Sequence, residues 1–260
     1  MNVVWMERDA LFPAVRGCLE PIDVVLDIGS GIMPQDMVRP LVHICCEPYG
    51  EYIERLREKT VDCLDRTYVL VQATWEEAVR IFPEKSVDTV VLADVIEHVE
   101  KEVGARLLRA TEGIARRQVA VFTPLGFLAQ SCEGEDAWGL GGASWQEHRS
   151  GWLPEDFGEG WEIRASRDFH TVDHMGKPLI PPHGAFWAIR THPGDAADAA
   201  RAATLERKHK LRKVHDMSVE NSPEDLEGFL LAMRGVLRGR STRWGRRLVD
   251  TVVAMKREDG

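Results

Sequence analysis

No apolar run in this 260-residue chain approaches the ~20 residues that a membrane-spanning helix requires. The amino-terminal stretch MNVVWMERDALFPAVRG has no basic start followed by an apolar segment, so no secretory signal peptide is expected. Cysteine is sparse: Cys18, Cys45, Cys46, Cys63 and Cys132 are odd in number and contain no C-x-x-C pair. Reduced thiols in a cytoplasmic protein follow most simply, with Cys45 and Cys46 as small core residues. Histidines with familiar ligand spacing are missing as well. Neither H-E-x-x-H nor H-x-D occurs, so no metal site is expected, including around His170, His174 and His183. There is no internal repeat.

What is present is ordinary for a globular chain: 44% apolar and 29% charged residues, at a length that suits one large domain, or one domain with an appendage. The net charge of −9 is unevenly spread, because residues 201–260 carry a balance of +5 and residues 1–200 carry −14. An acidic body repels nucleic acid, and no nucleic-acid partner is expected.

Short apolar strand-like runs at 23–28, 42–46, 67–72, 87–92 and 119–123 alternate with helical patterns at 7–19, 49–58, 76–81 and 100–116. Strands that are apolar along their whole length argue for a mostly parallel sheet with helices on both faces. Two later runs, 161–169 and 184–191, are joined by a segment containing Pro181 and Pro182 and read as an antiparallel terminal hairpin. The expected fold is α/β and Rossmann-like, seven-stranded, in a domain over 1–193. Residues 126–158 would form a lid or substrate loop, and a basic helical extension would cover 194–260.

The chemistry concentrates in VLDIGSGIMPQ, residues 25–35. Gly29 and Gly31 follow an apolar strand, as in a nucleotide-binding loop, but Pro34 stands where a dinucleotide fingerprint has its third glycine. Proline suits the first turn of a helix, so a helix is expected to begin there. Glu47 ends the second strand 20 residues beyond Asp27, where a carboxylate can accept hydrogen bonds from ribose hydroxyls. Asp27 in the loop would oppose a pyrophosphate and attract a cation. That distinction favours S-adenosylmethionine, which carries a sulfonium and an ammonium, over a nicotinamide dinucleotide.

The motif VLDIGSG resembles the first motif of class I S-adenosylmethionine-dependent methyltransferases, and the likeness continues in order over roughly residues 20–125. It implies an enzyme with that cofactor, bound by Asp27, Ile28, Gly29, Ser30 and Gly31 in the loop and by Glu47 and Pro48 after the second strand. Ala73, Thr74 and Trp75 in VQATWEE would line the adenine pocket, although the acidic residue many members carry there is absent. SVDTVVLADVIEHVEK resembles the fourth motif and adds Asp94 and Val95, with Glu97 and His98 completing D-x-x-E-H. HRSGWLPEDF, from His148, and GAFWAIR look like the end of such domains in bacterial members, some associated with surface glycans.

Methyl transfer needs orientation and a dry pocket, and a hydroxyl acceptor benefits from a base. His98 and His148 are the catalytic candidates; helix packing is the alternative for His98 and an ordinary surface loop for His148. Arg149 could meet an anionic acceptor. Trp138, Trp145 and Trp152 could wall a small-molecule or glycan acceptor, or pack as a satellite core. The basic clusters after residue 200 leave three options open: docking on the acidic body, a homodimer contact, or a membrane surface. The rival functions are a catalytically silent module of the same fold and a nicotinamide-dependent oxidoreductase.

Overall fold

A computed structural model describes residues 2–131 and 136–192. The expected extension over 194–260, its basic clusters and Cys132 lie outside the described residues. In chain order the elements are β1 (Val3–Trp5), α1 (Arg8–Arg16), β2 (Val24–Ile28), β3 (Val42–Glu47), α2 (Gly50–Thr60) and β4 (Thr67–Gln72). They continue with α3 (Trp75–Ile81), β5 (Val87–Ala93), α4 (Lys101–Ile114), β6 (Ala115–Pro124), β7 (Trp161–Val172) and β8 (Pro178–Thr191). All eight strands join one sheet in the order β1-β7-β8-β6-β5-β2-β3-β4. Strands β2 to β6 pair in parallel, while β8 is antiparallel to both β6 and β7.

The sheet has eight strands rather than the seven expected. The extra one is β1, whose three residues pair in parallel with β7 at the sheet edge and are too few to show a period in sequence. Pro181 and Pro182 also sit elsewhere than expected. They lie inside β8, in a stretch where the β7–β8 register shifts, and the connection is a turn whose Asp173 Oδ1 accepts the amides of Met175 and Lys177 at 2.9 and 2.8 Å.

Burial explains the unbroken apolar strands. Neighbouring residues alternate between two cores: Leu26, Val90, Leu92, Val119 and Val121 face one side with α3 and α4, while Val25, Val91, Ala120 and Phe122 face the other with Leu11 and Val15 of α1. Each side is covered, as parallel sheets require. The helix expected from Pro34 does not form, because residues 29–41 run as turns and irregular chain. In its place Met37 and Val38 of this connection enter the α1 core, at 5% and 7% exposure. A short crossover that buries two side chains covers that strip of sheet without a helix.

Candidate active site

Strand order reverses at β2, with β3 and β4 on one side and β5 and β6 on the other. Such a switch point opens a crevice beyond the carboxyl ends of the strands. A cavity of about 500 Å³ lies there, in the range of small-ligand sites. The ends of four strands line it: Ile28, Gly29 and Gly31 after β2, Glu47 and Pro48 after β3, Ala73 to Glu76 after β4, and Asp94, Val95, His98 and Val99 after β5. Of the residues expected to hold cofactor, only Asp27 and Ser30 fall outside this lining.

Asp27 stands outside the cavity lining. It is 2% exposed, and its Oδ2 accepts the Gln35 amide at 2.9 Å and bonds His43 Nε2 at 3.0 Å. Successive strand residues point to opposite faces, so Asp27 turns under the sheet when Ile28 faces the cavity. Its carboxylate braces the loop from below. Ser30 is buried at 7% exposure and likewise does not line the cavity.

Glu47 takes the part in the cavity that Asp27 lacks. Its Oε2 accepts the Gly31 amide and its Oε1 the Tyr49 amide, each at 3.0 Å. Burial raises its pKa against the pull of those two amides. Gly29 and Gly31 adopt φ of 71° and 56°. A Cβ on Gly29 would lie 2.6 Å from Val95 Cγ2, and one on Gly31 would lie 2.6 Å from the Trp138 ring. Only glycine permits both the turn and the close approach.

Thr74 serves first as a helix cap. Its hydroxyl oxygen accepts the Glu77 amide at 3.3 Å while Glu77 accepts the Thr74 amide at 2.8 Å, the reciprocal pair that starts α3. Asp94, in a left-handed conformation at φ 53°, projects into the cavity. It stays exposed to that space, with the buried Glu97 behind it. Glu97 beside it is 1% exposed, and burial together with the Asp94 charge raises its pKa well above the ordinary value.

His98 lines the cavity and packs edge-on against His148, ring centroids 4.9 Å apart. Burial and the neighbouring His148 hold the His98 pKa down at about 4. His148 itself stands behind His98, outside the lining, and burial lowers its pKa as well. The pair is fixed by the chain around it. Glu97 carbonyl oxygen accepts the amides of Arg149 and Ser150 at 2.7 and 3.1 Å, and Ile96 carbonyl oxygen accepts Ser150 Oγ and Trp152 Nε1, both at 3.1 Å. The three tryptophans divide. Trp138 and Trp145 line the cavity, whereas Trp152 is core at 1% exposure.

The remaining walls are Tyr52, Glu76, Ser144, Gln146 and Arg149. Tyr52, Glu76, Ser144 and Gln146 carried no signal in sequence. Tyr52 is placed by Asp136, 84 residues away, through a 2.5 Å hydrogen bond from its hydroxyl. Met33 and Gln35, at the lip of the loop, do not line the cavity; the Gln35 side chain instead accepts the amides of Met37 and Val38.

No protein-family model and no curated protein matches the sequence. Solved structures similar to the chain include the magnesium protoporphyrin IX methyltransferase from Synechocystis PCC 6803 with bound S-adenosylmethionine, at 13% identity and a TM-score of 0.44. That match covers 70% of this chain and 77% of the other. The bifunctional kinase-methyltransferase WbdD is similar at 16% identity and a TM-score of 0.41, over 69% of this chain and 37% of that one. The cyclopropane synthase MmaA2 from Mycobacterium tuberculosis is similar at 18% identity and a TM-score of 0.36, over 45% of this chain and 42% of that one. At such distances the chemistry of the site has to be read from its own residues.

Proposed function

We propose that this chain is an S-adenosylmethionine-dependent methyltransferase acting on a small-molecule or glycan-intermediate acceptor. One observation carries the reading: the Gly31 amide is met by the Glu47 carboxylate. In a dinucleotide loop the corresponding amides and a following helix N-terminus meet a pyrophosphate. Here an anion already occupies the amide, and no helix follows in residues 29–41. Glu47, Glu76 and Asp94 share the cavity with one arginine, Arg149. The carboxylates attract a cation and oppose a pyrophosphate.

The cofactor would supply an electrophilic methyl group for in-line displacement at sulfur. Each Glu47 oxygen uses one amide and keeps acceptor capacity for a ribose hydroxyl. Ala73, Trp75 and Val95 offer apolar walls for adenine, while Thr74 has only its hydroxyl proton left to give. Gly29 and Gly31 let the backbone lie close to the amino-acid end, and Asp94 faces the positive charge. His98, with its pKa near 4, is a weak base at neutral pH, so it serves to place the acceptor, with His148 positioning its ring. Trp138, Trp145 and Arg149 suit an acceptor with a ring and an anionic group. The catalytic domain is proposed to span residues 1–193, with residues 194–260 as an extension to it.

Calorimetry with S-adenosylmethionine, S-adenosylhomocysteine and NAD tests the reading. Both sulfur ligands should bind, and Glu47→Ala should weaken them by at least about tenfold, a loss of ~1.4 kcal/mol. Binding of NAD alone would sink the proposal. Binding without turnover on any of a broad acceptor panel would favour a silent module.

A further inference from the structure

Glu97, His98 and His148 each present one ligand atom, and these atoms lie within 4.8 Å of one another. The group is already oriented in the manner of metal ligands. His98 Nδ1 bonds the Glu147 carbonyl oxygen at 3.2 Å, and His148 Nδ1 bonds the Leu128 carbonyl oxygen at 2.6 Å. A carbonyl oxygen only accepts, so each Nδ1 carries the proton and each Nε2 holds a lone pair. Histidines that bind metals are fixed by this kind of second contact, and so are their carboxylate companions. Glu97 Oε2 accepts the Thr123 hydroxyl at 3.0 Å, while Oε1 is buried and meets no donor except through a proton shared with the Asp94 carboxylate.

A buried carboxylate oxygen without a partner is costly. A proton shared with Asp94 is one remedy. It leaves the two imidazole lone pairs beside it unused, whereas a divalent cation would engage all three groups. Bonds of about 2.0–2.2 Å need ligand atoms roughly 3–3.6 Å apart. Small side-chain rotations close that gap, because Glu97 and His98 sit on one 3-10 turn, Ile96–His98, and residues 147–150 are tied to it by backbone hydrogen bonds.

We propose that Glu97, His98 and His148 form a divalent transition-metal site whose open positions face the cavity. Two imidazoles and one carboxylate occupy three positions and suit Zn(II), Fe(II) or Co(II). His98 lines the cavity wall next to Asp94, so the open positions meet the space left for the acceptor. The ligand class is an acceptor hydroxyl oxygen, which the ion would hold and acidify. That role rests on the methyl-transfer reading; binding of the ion does not. A second group within ligand reach, Asp27, His43 and Cys45, is fully buried, and its Asp27 and His43 already bond each other.

The test uses the full chain stripped with chelator and titrated with Co(II), followed by visible absorption, and with Zn(II) by calorimetry. S-adenosylhomocysteine binding is measured in parallel on every sample. Wild type should take up one ion per chain with a ligand-field spectrum. His148→Ala and Glu97→Gln should each weaken uptake by at least about 10–100-fold, and Glu97→Asp should recover part of it. Retained S-adenosylhomocysteine affinity certifies that a variant is folded. Wild type that binds S-adenosylhomocysteine but no ion overturns the site and leaves the methyl-transfer reading standing. An ion lost in Cys45→Ser but kept in His148→Ala also overturns the site, by placing the metal under the sheet.

Discussion

At the scale of single residues, two side chains on one loop exchange the roles that their spacing implies. Asp27 braces the loop through the Gln35 amide and His43, and Glu47 receives the loop amide that faces the cavity. Asp27→Ala strands the buried His43 ring donor, at a cost of about 1–3 kcal/mol, together with the part-buried Gln35 amide. The expected result in urea denaturation is a loss of about 2 kcal/mol or more, with the folded fraction binding S-adenosylhomocysteine as wild type does. Lost affinity at unchanged stability would return Asp27 to the cavity. Gly31→Ala belongs to the same loop. Its Cβ would be strained at φ 56° and would sit 2.6 Å from the Trp138 ring. We expect a stability loss of about 1–2 kcal/mol from the left-handed backbone and a displaced Trp138. Cofactor affinity should fall about tenfold, equivalent to ~1.4 kcal/mol. Unchanged affinity by calorimetry would separate Trp138 from the binding wall.

At the scale of elements, the segment from Asp136 to Gln146 closes over α2 through one carboxylate. Asp136 Oδ1 accepts the amides of Trp138 and Leu140 at 3.0 and 2.8 Å, and Oδ2 accepts the Gly142 amide at 2.7 Å along with the Tyr52 hydroxyl. Burial acts to raise the Asp136 pKa, but the hydrogen bonds from Tyr52, Leu140, Gly142 and Trp138 outweigh it and hold the carboxyl below its usual range. A carboxyl depressed in the folded state adds stability that is complete above the unfolded value, near 3.9, and disappears as pH falls through the folded one. Hydrogen exchange of the Trp138, Leu140 and Gly142 amides should therefore stay slow from neutral pH down to about 4, then accelerate in stronger acid. Asp136→Asn should show fast exchange at every pH. Equal protection in both proteins would mean that packing alone holds the segment. A loop held by one acid was not legible beforehand, because Asp136 and Tyr52 are far apart in sequence and the stretch around Asp136 has no period.

At the scale of the whole molecule, the parallel sheet was legible because burial on both faces demands unbroken apolar runs, and Val24–Leu26, Val90–Leu92 and Val119–Phe122 supply them. The cavity position of Glu47 followed from the end of its strand, and that of Asp94 from the resemblance of SVDTVVLADVIEHVEK to the methyltransferase fourth motif. Side-chain direction did not, so the contacts of Asp27 with the Gln35 amide and His43 were not foreseen, and the missing helix after Gly31 was hidden by a proline that suits a helix start and an irregular turn equally. The opposite end of the sheet is held by Asp88, a residue without any motif. It is 4% exposed; Oδ1 pairs with Arg116 Nε and Nη2 at 3.1 and 2.8 Å, and Oδ2 accepts the amides of Asp23 and Val24 at 3.0 and 2.9 Å. One carboxylate thus joins the starts of β2, β5 and β6, the strands at the centre of the sheet. Removing one partner of a buried pair costs about 3–5 kcal/mol because the other charge is left uncompensated. Arg116 retains some solvent contact, with its side chain 22% exposed, which places Asp88→Ala at the lower end, about 3 kcal/mol. Thermal and urea unfolding should record that loss in one cooperative transition. The cavity lies beyond the other ends of these strands, so S-adenosylhomocysteine affinity should be retained below the new melting temperature. An early, separate transition would show instead that Asp88 secures a local corner and leaves the sheet intact.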